Sequence, residues 1–264
     1  MTDTFLITLT PRQLPGLKGW RATPALLAYR LGPGPHLLRA QGAAPPRGAL
    51  MVLNDQGYDG LGRTGPLCQE ILRECQAREL GGAVLDFDNR LPPLESICAQ
   101  LDEGFSRRGL ALYVPDGYAS AAPRARVMIP SALSGGSLAL RLEEAAAQFG
   151  PERIALALEL RAEDFPLPSP SGSGRPLSQE DLESLKRRLS PSIFFSGELC
   201  ARYFTYMDGE GTAHFVLFDD GDTAARKVEV ARRAGIHIFL APWTQVSSCA
   251  AQLGMRRMQP PGKK

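Results

Sequence analysis

Residues 48–88 read GALMVLNDQGYDGLGRTGPLCQEILRECQARELGGAVLDFD, and this stretch holds a complete strand–helix–strand unit. The apolar run Gly48–Leu53 predicts a buried strand, because it lacks the alternation of a half-exposed one. Pro66–Leu80 has apolar residues at helical spacing, and Gly81-Gly82 ends that helix. Ala83–Phe87 is a second short buried strand. Two such strands joined by a helix form the repeating unit of α/β folds.

Outward from this unit, strands and helices continue to alternate. The other predicted strands are Pro24–Leu31, Leu110–Val114, Arg126–Ile129, Arg153–Leu160, His214–Phe218 and Ile236–Leu240. The other predicted helices are Leu94–Arg108, Leu138–Phe149, Ser178–Leu189 and Thr223–Ala234. This pattern predicts an α/β fold, and the number of units favours a compact (β/α)8 TIM-like barrel, complete or lacking a unit. An open doubly wound sheet is the alternative, because periodicity alone does not separate the two.

Composition indicates an ordinary globular protein. The 264 residues are 44% hydrophobic and carry a net charge of +2, which gives no reason to expect a nucleic-acid partner. We expect one barrel domain over residues 1–253 and a basic, disordered tail over residues 254–264. Phe165–Pro176 is rich in Pro, Ser and Gly, and we interpret it as a loop rather than a linker because alternation continues beyond it.

Cysteine and histidine usage argues against disulfides and metal sites. The five cysteines form no C-x-x-C motif and are odd in number, which predicts reduced, partly buried thiols. None of the three histidines lies near a pair of cysteines, so we expect no metal, and no cofactor is indicated. The N-terminal segment has no signal-peptide pattern, which predicts a cytoplasmic location, and no apolar run is long enough to predict a membrane partner.

One glycine motif imitates a dinucleotide-binding fingerprint. Gly60, Gly62 and Gly65 form G-x-G-x-x-G before a helix, with Asp86 further along the chain. In the fingerprint the first glycine directly follows the strand, whereas here residues 54–59 separate Gly60 from the end of the strand. A bound pyrophosphate would therefore not reach the helix N-terminus. A nucleotide-binding oxidoreductase remains the lesser alternative.

Two carboxylates end the strand that follows this helix. Strand alternation places Asp86 and Asp88 on one side and Phe87 on the other. The C-terminal ends of barrel strands surround the mouth where active sites lie. Because two neighbouring carboxylates do not both ionise freely, one should keep its proton to higher pH, as a general acid must. The alternative is that Asp88-Asn89 only caps the following turn and helix.

The stretch Gly81–Asp88 resembles the D-G-x-D-x-D-x-E motif on the fourth barrel strand of the family-18 glycoside hydrolases. Gly82 matches the motif glycine, Asp86 the last aspartate, and Asp88 the catalytic glutamate. A second region is similar to the end of the spore-germination type of this family. That region comprises Tyr203-Phe204-Thr205-Tyr206, His214–Thr223, Lys227, Gly235 and Trp243.

The resemblance implies hydrolysis of N-acetylglucosamine-containing glycans, either peptidoglycan or chitin-like chains, and a role at a spore envelope. The family acts by substrate assistance, in which the N-acetyl oxygen is the nucleophile. Asp88 would then be the general acid and Asp86 its positioner. Trp243, at the end of the last strand, would form an aromatic floor for a sugar ring.

Further substrate-binding candidates lie in the loops expected at the barrel mouth. Asn54, Asp55 and Tyr58 fall in the loop after the Gly48–Leu53 strand and could contact a sugar. Tyr113 or Tyr118 could replace a tyrosine that the family uses to hold the substrate's acetamido group.

Several departures from the family pattern weaken the expected chemistry. Gly81 and Val84 replace two motif aspartates, and Met128-Ile129-Pro130-Ser131 lacks the tyrosine and aspartate of the sixth-strand motif M-x-Y-D. Asp88 is one methylene shorter than glutamate, which withdraws the proton by about 1.5 Å, and a misplacement on the order of 1 Å can cost ~100-fold in rate. Two hypotheses therefore stand: a divergent glycosidase, and a carbohydrate-binding barrel that has lost turnover.

Overall fold

The computed structural model describes residues 2–40, 42, 44–169, 172 and 174–258. The strands in the described chain are β1 (Thr4–Leu9), β2 (Thr23–Gly32), β3 (His36–Arg39), β4 (Leu50–Asn54), β5 (Gly82–Asp86), β6 (Ala111–Pro115), β7 (Arg126–Pro130), β8 (Ile154–Ala157), β9 (Ala162–Leu167), β10 (Arg175–Pro176), β11 (Phe194–Ser196), β12 (Ala201–Met207), β13 (Ala213–Phe218) and β14 (Ile238–Pro242). The helices are α1 (Leu14–Leu17), α2 (Thr64–Ala77), α3 (Pro92–Ser106), α4 (Leu138–Phe149), α5 (Gln179–Leu189), α6 (Gly221–Arg233) and α7 (Trp243–Val246).

Eight parallel strands close into a barrel in the order β1, β2, β4, β5, β6, β7, β8, β14. Closure occurs at β1, where Leu6 is opposite Thr23 of β2 on one side and Leu240 of β14 on the other. The predicted (β/α)8 barrel is therefore confirmed and complete in its strands, and the doubly wound sheet is excluded. The Gly60–Gly65 segment runs from the β4–α2 loop into the first residues of α2, and the closed barrel lacks the open sheet that a dinucleotide-binding fold requires.

Strand alternation separates two hydrophobic cores. On β4, Leu50 and Val52 lie in the small core inside the ring, whereas Met51 and Leu53 face the larger core between strands and helices. The inner core is filled by side chains from facing strands, as in other closed barrels. The same alternation decides which side chain points into the mouth at the end of each strand.

The helical layer is uneven around the ring. Full-length helices α2, α3, α4 and α6 cover part of the barrel, whereas α1 and α7 have four residues each, and a single 3-10 turn, Asp116–Tyr118, follows β6. All five cysteines are free and buried in this layer or near it, as predicted. Burial raises the pKa of Cys68, Cys75 and Cys98 to about 12, so these thiols are unreactive at neutral pH.

Residues 162–218 form a second sheet inserted between β8 and α6. Its five strands are antiparallel in the order β10-β9-β13-β12-β11, and α5 packs on one face through Leu182 and Leu185. The prediction of unbroken strand–helix alternation is wrong here. His214–Phe218 falls in an antiparallel strand, and Phe165–Pro176 contains a hairpin made by β9 and β10. Periodicity marks a strand correctly but does not identify its partner.

A buried ion pair stands where the chain returns from the insert to the barrel. The Lys227 ammonium lies 2.7 Å from an Asp219 carboxylate oxygen, with side-chain exposures of 2% and 5%. Asp220 caps α6 by accepting a hydrogen bond from the Thr223 amide at 2.9 Å. Together the two interactions fix the start of α6 where the chain leaves β13.

The C-terminal stretch packs at the end of the barrel opposite the mouth. The Met258 amide donates to the Gly19 carbonyl at 2.8 Å, and the Arg257 guanidinium lies 4.0 Å from the Trp20 ring centroid. The predicted disordered tail therefore begins with residues that contact the barrel, and its remainder, 259–264, lies outside the described residues. None of the described helices combines the length and apolarity needed to cross a bilayer.

Lys227→Met should destabilise the protein by about 3–5 kcal/mol, because it leaves the Asp219 carboxylate buried without its counter-ion. Urea denaturation at neutral pH measures the effect. The matched control is Arg226→Met, which removes only an exposed ion pair with Glu229 and should cost about 1 kcal/mol or less. Equal stability losses in the two variants would show that the buried pair contributes nothing beyond a surface one.

Candidate active site

Asp86 is the last residue of β5 and points into the barrel mouth. Two residues earlier Val84 lies in the inner core, and the intervening Leu85 faces the helices, so alternation turns Asp86 inward. Asn54, the last residue of β4, is its register partner on the neighbouring strand. The two polar side chains therefore emerge side by side above the inner core.

Asp88 follows in the loop after β5, on the same side as Asp86. The intervening Phe87 is buried among the helices and meets the Tyr118 ring edge-to-face, with 5.9 Å between ring centroids. Both aspartates are exposed to solvent at the mouth, and Phe87 anchors the loop from behind. This is the arrangement that alternation predicted for the three residues.

A buried carboxylate holds the loop that carries Asp88. Asp55, 2% exposed, accepts hydrogen bonds from the Asp88 amide at 3.2 Å, the Asn89 amide at 3.1 Å and the Asn89 side chain at 2.9 Å. On the other side of the loop, the Tyr118 hydroxyl donates to the Asn89 carbonyl. The backbone at Asp88 is therefore fixed from two neighbouring barrel strands.

Asp86 stands in an electrostatic environment that favours its protonated form. Asp86 is exposed to solvent on one side, but the surrounding protein partly desolvates its carboxyl. This desolvation is the main reason that its pKa is raised. The negative charges of Asp88, Asp55 and Glu159 raise it further. The expectation that one carboxyl of the pair keeps its proton to higher pH therefore applies to Asp86.

Glu159 is a site residue that sequence reasoning missed. It follows β8, its amide donates to the buried Ser131 hydroxyl at 3.1 Å, and its carboxylate lies 2.5 Å from the Arg161 guanidinium. The sequence predicts Arg153–Leu160 as a strand and assigns no site residue to it. Counting the strand alternation from Ala155 in the inner core would have placed Glu159 on the mouth side.

The other predicted substrate-binding residues occupy different environments. Asn54 lies at the mouth, where its side chain accepts from the Gln56 amide at 3.2 Å. Asp55 and Tyr118 are buried supports of the Asp88 loop, and Tyr58 is buried in the core between barrel and helices. Asp55 and Tyr118 therefore act on the site through the Asp88 loop that they hold, and Tyr58 does not reach the mouth.

Tyr113 and Trp243 differ in how near the mouth they lie. Tyr113 fills the inner core, and the Arg126 guanidinium, from the first residue of β7, lies 5.4 Å from its ring centroid. Arg126, which contacts the Tyr113 ring, thus lies at the end of the barrel opposite the mouth. Trp243 begins α7 directly after β14 and is partly buried, and a side chain at Gly16 would meet its indole ring. Trp243 therefore follows the C-terminal end of β14 and lies beside α1, where it packs against the core between the barrel and its helices.

The sixth barrel strand, β7, contributes no acidic or tyrosyl group to the mouth. Met128 lies in the inner core, and Ser131 is fully buried. Within the described part of the chain, no group of three or more His, Cys, Asp or Glu side chains is arranged to hold a metal ion. The chemistry that the mouth offers is carboxylate chemistry.

Replacing Asp55 should release the Asp88 loop. In Asp55→Ala the amides of Asp88 and Asn89 lose their acceptor, so they should exchange with solvent deuterium at least tenfold faster, since a hydrogen bond to a charged group is worth about 1.5–3 kcal/mol. Hydrogen-exchange mass spectrometry of the peptide containing both residues is the measurement. Asp59→Ala, which removes an exposed acceptor in the β4–α2 loop, should leave that peptide unchanged.

Asp86→Asn should raise the melting temperature at neutral pH. The folded state raises the Asp86 pKa, so folding an ionised Asp86 is unfavourable above the folded-state pKa, and the neutral amide removes that cost. Below the ordinary aspartate pKa, both states of the wild-type protein hold the proton. The gain in melting temperature should therefore shrink as pH falls from the folded-state pKa of Asp86 to the ordinary aspartate pKa. A gain that does not depend on pH would contradict the raised pKa. Calorimetric melting at several pH values provides the test.

Comparison with protein-family models gives no match, and comparison with curated protein sequences gives none either. Solved structures do resemble the chain. A chitinase from Chromobacterium violaceum is 15% identical, with a TM-score of 0.69, over 96% of this chain and 98% of that one. The spore cortex-lytic enzyme SleL of Bacillus megaterium is 14% identical, with a TM-score of 0.67, over 96% and 73%.

A third similar structure is a GH18 chitinase from Cycas revoluta in complex with (GlcNAc)3. It is 14% identical, with a TM-score of 0.62, and the match covers 95% of this chain and 97% of that one. At such identities the likeness concerns the fold. The chain therefore has the chitinase-like (β/α)8 barrel of family-18 structures, with a sequence only 14% or 15% identical to these three.

Proposed function

We propose that this protein is a divergent glycoside hydrolase that acts on N-acetylglucosamine-containing glycans. The observation that carries the proposal is the Asp86–Asp88 pair at the barrel mouth, with Asp88 on a loop held by a buried carboxylate and a tyrosine hydroxyl. Holding a reacting group in a fixed position is a large part of catalysis. The fold shared with chitinases and spore cortex-lytic enzymes adds to the argument.

The proposed reaction assigns a separate task to each carboxyl group. Asp86 holds the proton that the pair retains and passes it to Asp88. Asp88, the more distal of the two, gives that proton to the leaving glycosidic oxygen as the bond from that oxygen to the anomeric carbon breaks. The N-acetyl oxygen of the substrate attacks the anomeric carbon from the other face and forms a cyclic intermediate. Water then opens this intermediate and returns a proton to Asp88. Asp86, whose pKa is raised, lies deeper in the mouth and positions the acetamido group.

The second candidate is a binding barrel without turnover. It is favoured by β7, whose end presents Pro130 and the buried Ser131 where the family carries tyrosine and aspartate. With those groups missing, the acetamido group would be held mainly by Asp86 and its neighbours. A sugar would still meet the polar side chains of Asn54, Asp86 and Asp88 at the mouth, which is enough for recognition.

Asp88→Asn should reduce hydrolysis of chitotetraose by about 100- to 10,000-fold, the usual contribution of a general acid. Its affinity for the same oligosaccharide should change little, because asparagine keeps the shape of the side chain. Calorimetric titration measures binding, and chromatography of the mixture after long incubation measures products. Asp59→Asn, in the β4–α2 loop, is the matched control and should retain turnover.

The outcomes separate the two candidates. Cleavage by the wild-type protein that Asp88→Asn abolishes supports the hydrolase. Cleavage that persists in Asp88→Asn removes Asp88 from the mechanism. Binding without any cleavage by the wild-type protein supports the binding barrel, and no binding of any acetylated oligosaccharide withdraws the glycan assignment while the fold stands.

A further inference from the structure

A row of four side chains crosses the mouth beside the Asp86–Asp88 pair. In the strand register Leu38 of β3 is opposite Arg30 of β2, Arg30 is opposite Asn54 of β4, and Asn54 is opposite Asp86 of β5. Directly opposed residues on neighbouring strands project to the same side of a sheet. Arg30 therefore stands in the same layer as Asp86, two strands away, at about 10 Å for strands spaced about 4.8 Å apart.

A β-bulge turns Arg30 into the mouth. On β2, Leu27 is opposite Val52 but Tyr29 is opposite Leu53, so one extra residue, Ala28, interrupts the register. Tyr29 and Leu31 consequently both face the core under the helices, and Arg30 between them faces the mouth. Without the extra residue, strict alternation from the inward Leu27 would direct Arg30 outward. Bulges that re-aim a side chain are common beside functional sites.

Arg30 is exposed, and it makes no ion pair with any described residue. The neighbouring arginine on the same hairpin behaves differently. Arg39 projects to the opposite face, where its guanidinium lies 3.3 Å from the Glu74 carboxylate. The mouth thus contains a cation whose charge is not neutralised, although Asp86, Asp88 and Glu159 stand in the same opening.

The surroundings of Arg30 suit a small acidic group attached to an apolar one. A cavity of about 450 Å³ opens here, and its walls include Arg30, Asn54 and the exposed side chains of Leu27 and Leu38. Guanidinium binds carboxylate with paired hydrogen bonds, and leucine side chains pack on methyl groups. At about 10 Å from Asp86, the repulsion between a bound carboxylate and the mouth carboxylates is largely screened, since the Debye length is about 8 Å at physiological salt.

We propose that Arg30 binds the carboxylate of an acidic glycan, specifically the lactyl ether of an N-acetylmuramic acid residue. The lactyl group carries a methyl and a carboxylate on one carbon, which matches the leucines and the arginine. This inference rests on the proposed function and narrows its substrate class. It assigns the protein to peptidoglycan strands rather than to chitin, which bears no acid.

The test compares a disaccharide of N-acetylglucosamine and N-acetylmuramic acid with the methyl ester of its lactyl group. Calorimetric titration should give about tenfold tighter binding of the acid than of the ester to the wild-type protein, the effect of one charge-assisted hydrogen-bonded contact. Arg30→Gln should abolish this preference by weakening acid binding alone. Arg73→Gln, the same change on α2 outside this cavity, where the guanidinium donates only to the Gln69 carbonyl among the described residues, should keep it.

Equal binding of acid and ester by the wild-type protein would overturn the inference, as would an acid preference that survives in Arg30→Gln. A parallel titration with chitotetraose separates this failure from that of the proposed function. If chitotetraose binds while acid and ester do not differ, the glycan assignment stands and only the Arg30 site falls. If neither chitotetraose nor the disaccharide binds, both proposals fail.

Discussion

The pairing of β1 with both β2 and β14 is the constraint on which the rest of this molecule depends. A closed ring has an inside and an outside, and each strand must place every second side chain in a narrow interior that apolar groups fill. Where a strand extends beyond the apolar interior, its next inward-facing side chain is exposed to solvent at the mouth. Asp86, Asn54 and Glu159 occupy such positions, so the polar mouth is a direct continuation of the apolar barrel. Its support comes from the same geometry, because Asp55 and Tyr118 follow the two strands that flank β5.

Much of the barrel was predictable because local patterns there agree with tertiary structure. Runs such as Gly48–Leu53 and Ala83–Phe87 are buried on both faces, and no other element of that length and composition fits them. The position of Asp86 and Asp88, and the burial of Phe87 between them, followed from the period of two.

The remainder depends on contacts between distant segments. The strands of the insert have the length and apolarity of barrel strands, and only their partners make them antiparallel. β1 was overlooked because its short run lies at the chain start without a helix before it. Asp55 was expected at the sugar, but a buried acceptor for two amides 33 and 34 residues away leaves no local pattern. The bulge at Ala28 likewise leaves no pattern in the sequence, since it is a property of the pairing of β2 with β4.

The insert leaves the barrel and returns to it at almost one point. Ala162 and Phe218 are paired across β9 and β13, and the Asp219 amide donates to the Arg161 carbonyl at 2.8 Å. Because the two ends of the insert lie side by side, the barrel strands that they join need not move when the insert changes length. Evolution can lengthen, trim or replace the insert without altering the strands that carry the carboxylates. The insert and the barrel strands can therefore diverge in sequence at different rates.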